Sequence, residues 1–270
     1  MTDSNENTGG ASLTIADAVA TILFDRRAAR NAMLYRTWCT LADLIAAADS
    51  DPRVGLIVLR GAAGHFGAGN DIVEFGRLRR DMAGARRYGW AMADAMRAVE
   101  CASKPVIAVI QGSCFGASVA LALSADLRIA SESARFAITP AKLGAVYLRS
   151  DHHRLVAAIG PARTRRMIFT ARTLNAAKAE EFGLVDQLVP DETIEQEIGH
   201  IAASILAGSA YTLKHSKRML LSAGAGMPPA ETDESIGWFV DAMQGADFAE
   251  GVTAFLEKRA PQFPSTRDRD

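Results

Sequence analysis

The sequence predicts an α/β fold that continues into a purely helical C-terminal region. Two uninterrupted apolar segments, 54–60 and 105–110, are typical of strands buried on both faces of a parallel sheet. Helical patterns alternate with predicted strands up to about residue 190, and only helical patterns follow. We therefore divide the 270 residues into a disordered tail (1–11), an α/β core (12–190) and a helical region (191–270).

The individual elements follow from apolar patterning. Five short apolar runs predict strands at 18–24, 54–60, 105–110, 126–130 and 184–189. Between them, helices are predicted at 32–48, 80–100, 116–123, 151–159, 161–169 and 175–182. The first helix is supported by apolar side chains at helical spacing, namely Leu34, Trp38, Leu41 and Ile45. The same spacing recurs in the C-terminal region at Ile194, Ile198, Ile201 and Ile205.

Charge and composition limit the class of function. The formal net charge of −1 disfavours bulk nucleic-acid binding, which usually needs a strongly basic face. No segment reaches the ~18 apolar residues of a membrane span, and the polar N-terminus does not resemble a signal peptide. Three cysteines, Cys39, Cys101 and Cys114, lack metal or disulfide spacing. We expect a cytoplasmic protein without a membrane or nucleic-acid partner.

Two glycine-rich turns follow the two most apolar strands, at 61–71 and 111–118. A dinucleotide-binding turn would need a third glycine where Ile72 stands, and a nucleophile elbow fails because Ser113 directly follows Gly112. Backbone N–H groups near a helix start lack intrahelical partners, so two such turns can form an oxyanion hole. The alternative is that the small residues only allow close packing of strand and helix.

Five segments of the chain match the motifs of one family in order and spacing. They are 66–72 (FGAGNDI), 104–112 (KPVIAVIQG), 126–130 (DLRIA), 180–186 (EEFGLVD) and 250–259 (EGVTAFLEKR). Together they resemble the crotonase (enoyl-CoA hydratase/isomerase) superfamily over about residues 18–263. The resemblance implies a crotonase-like ββα spiral core with a C-terminal helical trimerisation region, assembled as a homotrimer or a dimer of trimers.

The resemblance also implies a site for an acyl-CoA thioester. The backbone N–H groups of Asn70 and Ala117 fall at the positions of the two oxyanion donors. The substrate pocket is expected to include Ala68, Gly69, Asp71, Gly116, Thr139 and Pro140. Contacts to the CoA moiety are expected from Arg27, Ala29, Phe239, Phe255 and Lys258. For three of these a simpler role stays open: core packing for Phe255, a solvated helix-end cation for Lys258, and a solvated side chain for Arg27. No permanently bound cofactor or metal is expected.

The sequence departs from the hydratase pattern at two positions. The two glutamates that add water in hydratases fall on Ala120 and Pro140, neither of which transfers a proton. Residues 139–147 (TPAKLGAVY) resemble instead a segment of the methylmalonyl-CoA decarboxylase branch, in which the tyrosine, here Tyr147, lies at the active site. Three functions therefore stay open: another enolate-type reaction such as isomerisation or an unusual hydration, decarboxylation of a malonyl-type ester, and CoA-ester binding without catalysis.

The remaining polar candidates have simpler structural roles. Asp71 is expected to cap the next helix as well as border the pocket, and His65 to shape the turn. Glu74 is a possible base at the edge of a predicted mobile loop, 72–86. The run 151–153 (DHH) opens a helix, and its neighbouring histidines point to different sides, which disfavours a shared metal.

Overall fold

The computed structural model describes residues 3–4, 10–224, 226 and 230–267. Ten strands form two sheets within these residues. The strands are β1 (Asp3–Ser4), β2 (Ala11–Ala16), β3 (Val19–Phe24), β4 (Leu56–Gly61), β5 (Val106–Ile110), β6 (Ser113–Phe115), β7 (Leu127–Ser131), β8 (Arg135–Ala137), β9 (Leu174–Asn175) and β10 (Gln187–Val189).

Twelve α-helices lie in the same ranges. Those of the N-terminal two thirds are α1 (Tyr35–Ser50), α2 (Ile72–Arg77), α3 (Met82–Cys101), α4 (Ala117–Ser124), α5 (Pro140–Leu143), α6 (Arg149–Thr170) and α7 (Ala176–Phe182). The C-terminal helices are α8 (Ile194–Leu206), α9 (Ala210–Gly224), α10 (Asp233–Gln244), α11 (Ala246–Glu257) and α12 (Pro264–Arg267).

The main sheet has the order β1-β2-β3-β4-β5-β7-β10. The first two pairings are antiparallel, and β3, β4, β5, β7 and β10 run parallel to one another. The register pairs Ile57 of β4 with Val106 of β5. Because neighbouring parallel strands end at the same edge of a sheet, the turns that follow β4 and β5 are brought together there.

Helices cover both faces of this sheet. In β4, Ile57 and Leu59 join the core formed with α1, α3, α4 and α6, whereas Leu56 and Val58 join a second, smaller core. The second core is closed by Ile194 of α8. Alternate residues of a strand point to opposite faces, so an uninterrupted apolar strand needs cover on both sides. The first helix after residue 191 therefore belongs to the α/β core.

Most predicted elements are confirmed, with differences at three places. Segment 72–86, predicted as a mobile loop, consists of α2, a 3-10 helix at Leu78–Arg80 and the start of α3. The predicted helices 151–159 and 161–169 form one element, α6, broken at Gly160 (φ 74°) before Pro161. Of the predicted tail 1–11, residues 1–2 and 5–9 lie outside the described residues, and Ala11 already begins β2.

The last helices attach to the core through a buried cation. Lys217 of α9 is buried, and its Nζ donates to Asp126 Oδ2 at 2.7 Å and to Lys104 O at 3.1 Å. Helices α10 and α11 in contrast expose large apolar side chains, among them Phe239 (60%) and Phe255 (82%). No helix in the described ranges combines the length and apolarity that a membrane span requires.

Candidate active site

The two glycine-rich turns are joined by backbone hydrogen bonds. Phe66 N donates to Gln111 O at 2.9 Å, and Gly67 N donates to Ser113 O at 2.8 Å. His65 Nδ1 accepts from Ser113 N at 3.1 Å, so this histidine shapes the turn as predicted. These bonds extend the edge of the sheet beyond β4 and β5, and they fix where the chain enters α4.

Glycine is needed where the two turns touch. Gly69 (φ +88°) and Gly116 (φ +54°) both adopt the left-handed region that side chains disfavour. A Cβ on Gly69 would lie 2.8 Å from Phe115 O and 3.3 Å from Ala117 N. Ser118 Oγ accepts from Gly69 N at 3.0 Å and holds the turns at this distance. This buried serine was missed in the sequence, where it is one of two serines within an otherwise apolar helix.

Two backbone N–H groups at this contact have no regular partner. Ala117 is the first residue of α4, so its N–H has no acceptor within the helix. Met33 pairs with Asn70 in a parallel β-bridge, in which Met33 N donates to Gly69 O and Met33 O accepts from Asp71 N. In this pairing the N–H of Asn70 points away from Met33. Both residues line one cavity. The arrangement fits an anionic oxygen held by two donors.

The side chain of Asn70 is held on the core side. Its Oδ1 accepts from Trp38 Nε1 at 3.0 Å and from Tyr88 OH at 3.4 Å. Trp38 and Tyr88 are almost fully buried. The amide side chain is therefore a fixed anchor for the turn that carries the backbone N–H of Asn70.

The cavity has a volume of about 560 Å³, within the range typical of ligand sites. One side, which we call the backbone wall, consists of residues 68–70 and 116–117. Another part of the lining, which we call the side-chain wall, consists of residues 139–140, 143–148 and 151. The lining also includes apolar residues of α2 and α3, among them Phe75 and Met92. Arg79 is the one guanidinium among its described lining residues.

Eight predicted site residues are brought together in this lining. They are Ala68, Gly69, Asn70, Gly116, Ala117, Thr139, Pro140 and Tyr147. Of the two positions where the resemblance placed the hydratase glutamates, Ala120 is fully buried in α4, and Pro140 opens α5 at the cavity. Neither position offers a group that gains or loses a proton.

Tyr147 presents a hydroxyl group that has no described hydrogen-bond partner. Its oxygen is buried although the residue lines the cavity. Burial raises the pKa of Tyr147, and the neighbouring Asp151 carboxylate raises it further. The phenol is therefore neutral at ordinary pH and able to donate one hydrogen bond to a bound group.

Asp151 is a cavity residue that sequence reasoning missed as a functional group. It is 1% exposed, and its carboxylate accepts from Leu148 N at 3.2 Å and from Arg154 Nη1 at 2.9 Å. Burial raises the pKa of Asp151, against the opposing influence of Arg154. In the sequence it looks like a helix-start residue, and only its spacing of three from Arg154 hints at a buried pair.

Other predicted polar residues serve the turn. Asp71 caps α2 by accepting from Glu74 N at 3.0 Å, and it pairs with Arg26 at 3.1 Å. The bond from Glu74 N and the Arg26 charge together keep the pKa of Asp71 below its usual value. Glu74 Oε2 accepts from Tyr35 N at 2.7 Å. Neither Asp71 nor Glu74 is among the described lining residues of the cavity.

The five predicted CoA contacts lie outside the described lining of this cavity. Arg27 is exposed and pairs with Asp25 at 2.5 Å, and Ala29 lies in the same 3-10 turn. Phe239 is exposed on α10, and Lys258 ends α11 in a left-handed conformation. Phe255 lines a second cavity of about 730 Å³ between the C-terminal helices. At 82% exposure Phe255 does not pack in the core, so that alternative is wrong.

Neighbouring histidines on α6 do not form a metal site. His152 Nδ1 lies 2.9 Å from Leu148 O, and His153 is exposed. Among the described residues, no three His, Cys, Asp or Glu side chains are grouped so that they could hold a metal ion.

Comparison with known proteins gives one consistent result. The model of the enoyl-CoA hydratase/isomerase family matches residues 14–266. A crotonyl-CoA hydratase from Syntrophomonas wolfei is 32% identical over 255 residues, covering 92% of this chain and 95% of its own length. An enoyl-CoA hydratase/isomerase family protein from Hyphomonas neptunium has a similar structure, with 38% identity and a TM-score of 0.91 over 95% of this chain and 98% of its own. An enoyl-CoA hydratase/carnithine racemase from Magnetospirillum magneticum gives a TM-score of 0.91 at 27% identity, covering 97% of each chain.

Proposed function

The chain belongs to the enoyl-CoA hydratase/isomerase family and has its fold, and on this premise we propose how it acts on an acyl-CoA thioester. The acyl part enters the cavity between the backbone wall and the side-chain wall. The thioester oxygen accepts hydrogen bonds from the N–H groups of Asn70 and Ala117. These two donors stabilise the negative charge that the oxygen acquires when the thioester becomes an enolate.

The observation that carries this proposal is the contact between the two glycine turns inside the cavity. Each N–H belongs to a fixed backbone, and Ser118 Oγ holds the turns together at Gly69 N. Donors that are positioned before the reaction need no reorganisation when charge develops. One such donor typically lowers an activation barrier by ~2.7–4 kcal/mol. Two donors therefore account for a large part of the stabilisation that an enolate needs.

The reaction proposed for this enolate does not use a pair of glutamates. Ala120 and Pro140 stand where hydratases of the family carry them, and neither side chain transfers a proton. We propose an enolate-type reaction such as double-bond isomerisation, or a hydration that uses other groups. Similarity to relatives named as hydratases identifies the family. Within the family, we propose that the side chains of the side-chain wall determine which reaction follows enolate formation.

A second candidate is decarboxylation of a malonyl-type thioester. In this reaction the bond between C2 and the carboxylate breaks, its electron pair passes to the thioester oxygen, and CO2 leaves. A proton then adds to C2. The buried, unpartnered hydroxyl of Tyr147 favours this candidate, because it is able to donate a hydrogen bond to the departing carboxylate or supply that proton.

The CoA moiety is proposed to enter and leave as part of the substrate, without a resident cofactor. We propose that Arg27 and Ala29 border its approach, and that Phe239, Phe255 and Lys258 contact it. The exposed apolar side chains of α10 and α11 suit packing against another copy of the chain. On this basis we propose a homotrimer or a dimer of trimers.

A panel of CoA esters tests these functions with one measurement. The purified protein is incubated with malonyl-, methylmalonyl-, ethylmalonyl-, 2-enoyl- and 3-enoyl-CoA, and the products are separated by liquid chromatography against authentic standards and identified by mass spectrometry. Interconversion of 2- and 3-enoyl esters supports isomerisation, and loss of CO2 from a malonyl ester supports the decarboxylase. Binding without any product supports a non-catalytic CoA-ester protein. If the protein binds none of these esters, the proposed function is contradicted.

A further inference from the structure

Asp151 is a carboxylate buried in the side-chain wall of the acyl cavity. It is 1% exposed and belongs to the residues that line the cavity. Each of its oxygens accepts one hydrogen bond, from Leu148 N and from Arg154 Nη1. A carboxylate has about four acceptor positions, so both oxygens keep a lone pair for a further contact.

The bond to Leu148 N gives Asp151 a helix-capping role, but capping does not require burial. Asp151 accepts from the third position of α6, whereas Asp71 and Asp81 cap α2 and α3 from the N-cap position, with side chains that are 17% and 54% exposed. Burying a carboxylate costs free energy because the charged form loses hydration. A residue that only caps would be more stable at the surface, so the buried position needs another explanation.

The charges around Asp151 do not balance. Arg154 forms a two-point ion pair with Glu100 of α3, at 2.6 and 2.8 Å, and a single bond with Asp151. One cation is therefore shared by two carboxylates. Among the described residues, the other titratable groups close to Asp151 are Tyr147, whose phenol is neutral, and His152 on the same helix. The surplus negative charge lies at Asp151, and it is removed when this carboxylate takes up a proton.

We propose that Asp151 is the proton-transferring carboxylate of the acyl cavity. The inference rests on the proposed function and names the group that replaces the missing glutamates. Asp151 removes a proton from C2 of the thioester, and the electron pair of the C–H bond passes to the thioester oxygen at Asn70 and Ala117. Asp151 then returns the proton, either to the same carbon or, for an unsaturated acyl chain, to C4. The imbalance of charge is what makes this carboxylate a competent proton acceptor.

Proton exchange in D2O tests the role without knowledge of the natural substrate. The full-length protein is incubated with butyryl-CoA and with 3-enoyl-CoA in D2O, and deuterium at C2 is measured by mass spectrometry. We expect Asp151→Asn to lower the exchange rate at least about 100-fold, while CoA-ester binding measured by calorimetry changes less than threefold. Asp151→Glu is expected to restore part of the rate. The asparagine keeps one acceptor oxygen, so it accepts from only one of the two donors, Leu148 N or Arg154 Nη1.

A matched control is Asp186→Asn. Asp186 also accepts from one backbone N–H and pairs with one arginine, both belonging to Arg128, but it lies outside the described cavity lining. The Asp186→Asn variant is expected to exchange deuterium at C2 at the same rate as the wild type. If Asp151→Asn does not fold by circular dichroism, the pH profile of wild-type exchange decides. The rate is then expected to fall on acidification with one ionisation, and a flat profile contradicts the inference.

The remaining outcomes separate the two proposals. Unchanged exchange in Asp151→Asn overturns the role of Asp151 and leaves the proposed function intact. Binding of esters by the wild type without any exchange also overturns it, because no proton is then transferred at C2. A wild type that binds no ester contradicts the proposed function itself.

Discussion

The two walls of the cavity are proposed to do different chemical work with different parts of the chain. The backbone wall, residues 68–70 and 116–117, presents main-chain N–H groups fixed by turns that are hydrogen bonded to each other. The side-chain wall, residues 139–140, 143–148 and 151, presents a phenol and a carboxylate. Its outer residues Leu143 and Val146 are 55% and 86% exposed. On the proposed function, the stabilisation of the enolate depends on the main chain, and the choice of reaction depends on a few side chains.

On the proposed function, this difference lets a member of the family carry out a reaction without the two glutamates of hydratases. A backbone donor is kept by any sequence that keeps the turn, whereas a proton-transferring group is lost by a single substitution. Ala120 lies in the core behind the backbone wall and has no polar side-chain atom, and Pro140 belongs to the side-chain wall. Both walls can be tested separately by substitutions that alter one and leave the other in place.

The largest effect is expected from a change in the backbone wall, Gly69→Val. The added side chain would collide with Phe115 O and force the two donor N–H groups apart. Turnover of the ester identified by the panel is expected to fall on the order of 100- to 1,000-fold, the usual result of losing one such donor. Steady-state kinetics measure it. Gly199→Ala is the control, since a Cβ there meets no atom within 4 Å.

Normal turnover by a folded Gly69→Val protein would contradict the assignment of the donors to this wall. Circular dichroism and thermal unfolding establish that the variant is folded before its rate is compared. The left-handed conformation of Gly69 makes some loss of stability certain, so the rate is measured well below the unfolding temperature.

A smaller effect is expected in the side-chain wall from Tyr147→Phe. If the protein decarboxylates malonyl esters, the rate of CO2 release is expected to fall about 10- to 100-fold, since the hydroxyl that serves the carboxylate is removed. The unfolding temperature is expected to stay the same or rise, because the buried hydroxyl has no described partner to lose. An equal rate of CO2 release in both proteins would exclude a role for the phenol.

Ser118→Ala is expected to weaken the backbone wall without a collision. It leaves the buried N–H of Gly69 without its acceptor, which lowers the free energy of unfolding by about 1–3 kcal/mol. Turnover is expected to fall about tenfold as the turn loosens. Urea unfolding and kinetics measure the two effects. Ser124→Ala in the same helix is the control, because Ser124 Oγ donates only to Leu121 O within α4. Equal losses in both variants would contradict the special role of Ser118.

The smallest effect is expected at Asp71, beside the backbone wall. Its pKa is lowered by the bond from Glu74 N and by Arg26, so the charged form stabilises the folded state. At neutral pH the free energy of unfolding of the wild type is expected to exceed that of Asp71→Asn by no more than about 1 kcal/mol. Because the native pKa lies below the unfolded one, this advantage is complete above pH about 4 and disappears as the pH falls through the native value. Urea unfolding between pH 2 and 7 tests it, and a difference independent of pH would contradict the linkage.

Much of the fold was predictable because it depends on local patterns. The apolar runs at 54–60 and 105–110 locate β4 and β5 to within two residues, and the glycines after them locate the turns. Parallel strands end at one edge, so the meeting of the turns was also predictable. The error at 72–86 has a local cause as well. Charge and a glycine in this segment suggested a loop, but Asp71 and Asp81 cap the helices that form there.

The sequence by itself determined the α/β core and the order of its strands along the chain. It also placed Gly69, Asn70, Gly116 and Ala117 in the two turns that follow β4 and β5. Those features depend on residues that are neighbours in the chain. The tertiary structure alone decided which side chains complete the cavity, and it placed Ser118 against Gly69 and Asp151 between the cavity and Arg154. These contacts join residues whose burial is set by α3, α4 and α6 packing together. The charge and proton affinity of a group depend on that burial, so no local pattern predicts them.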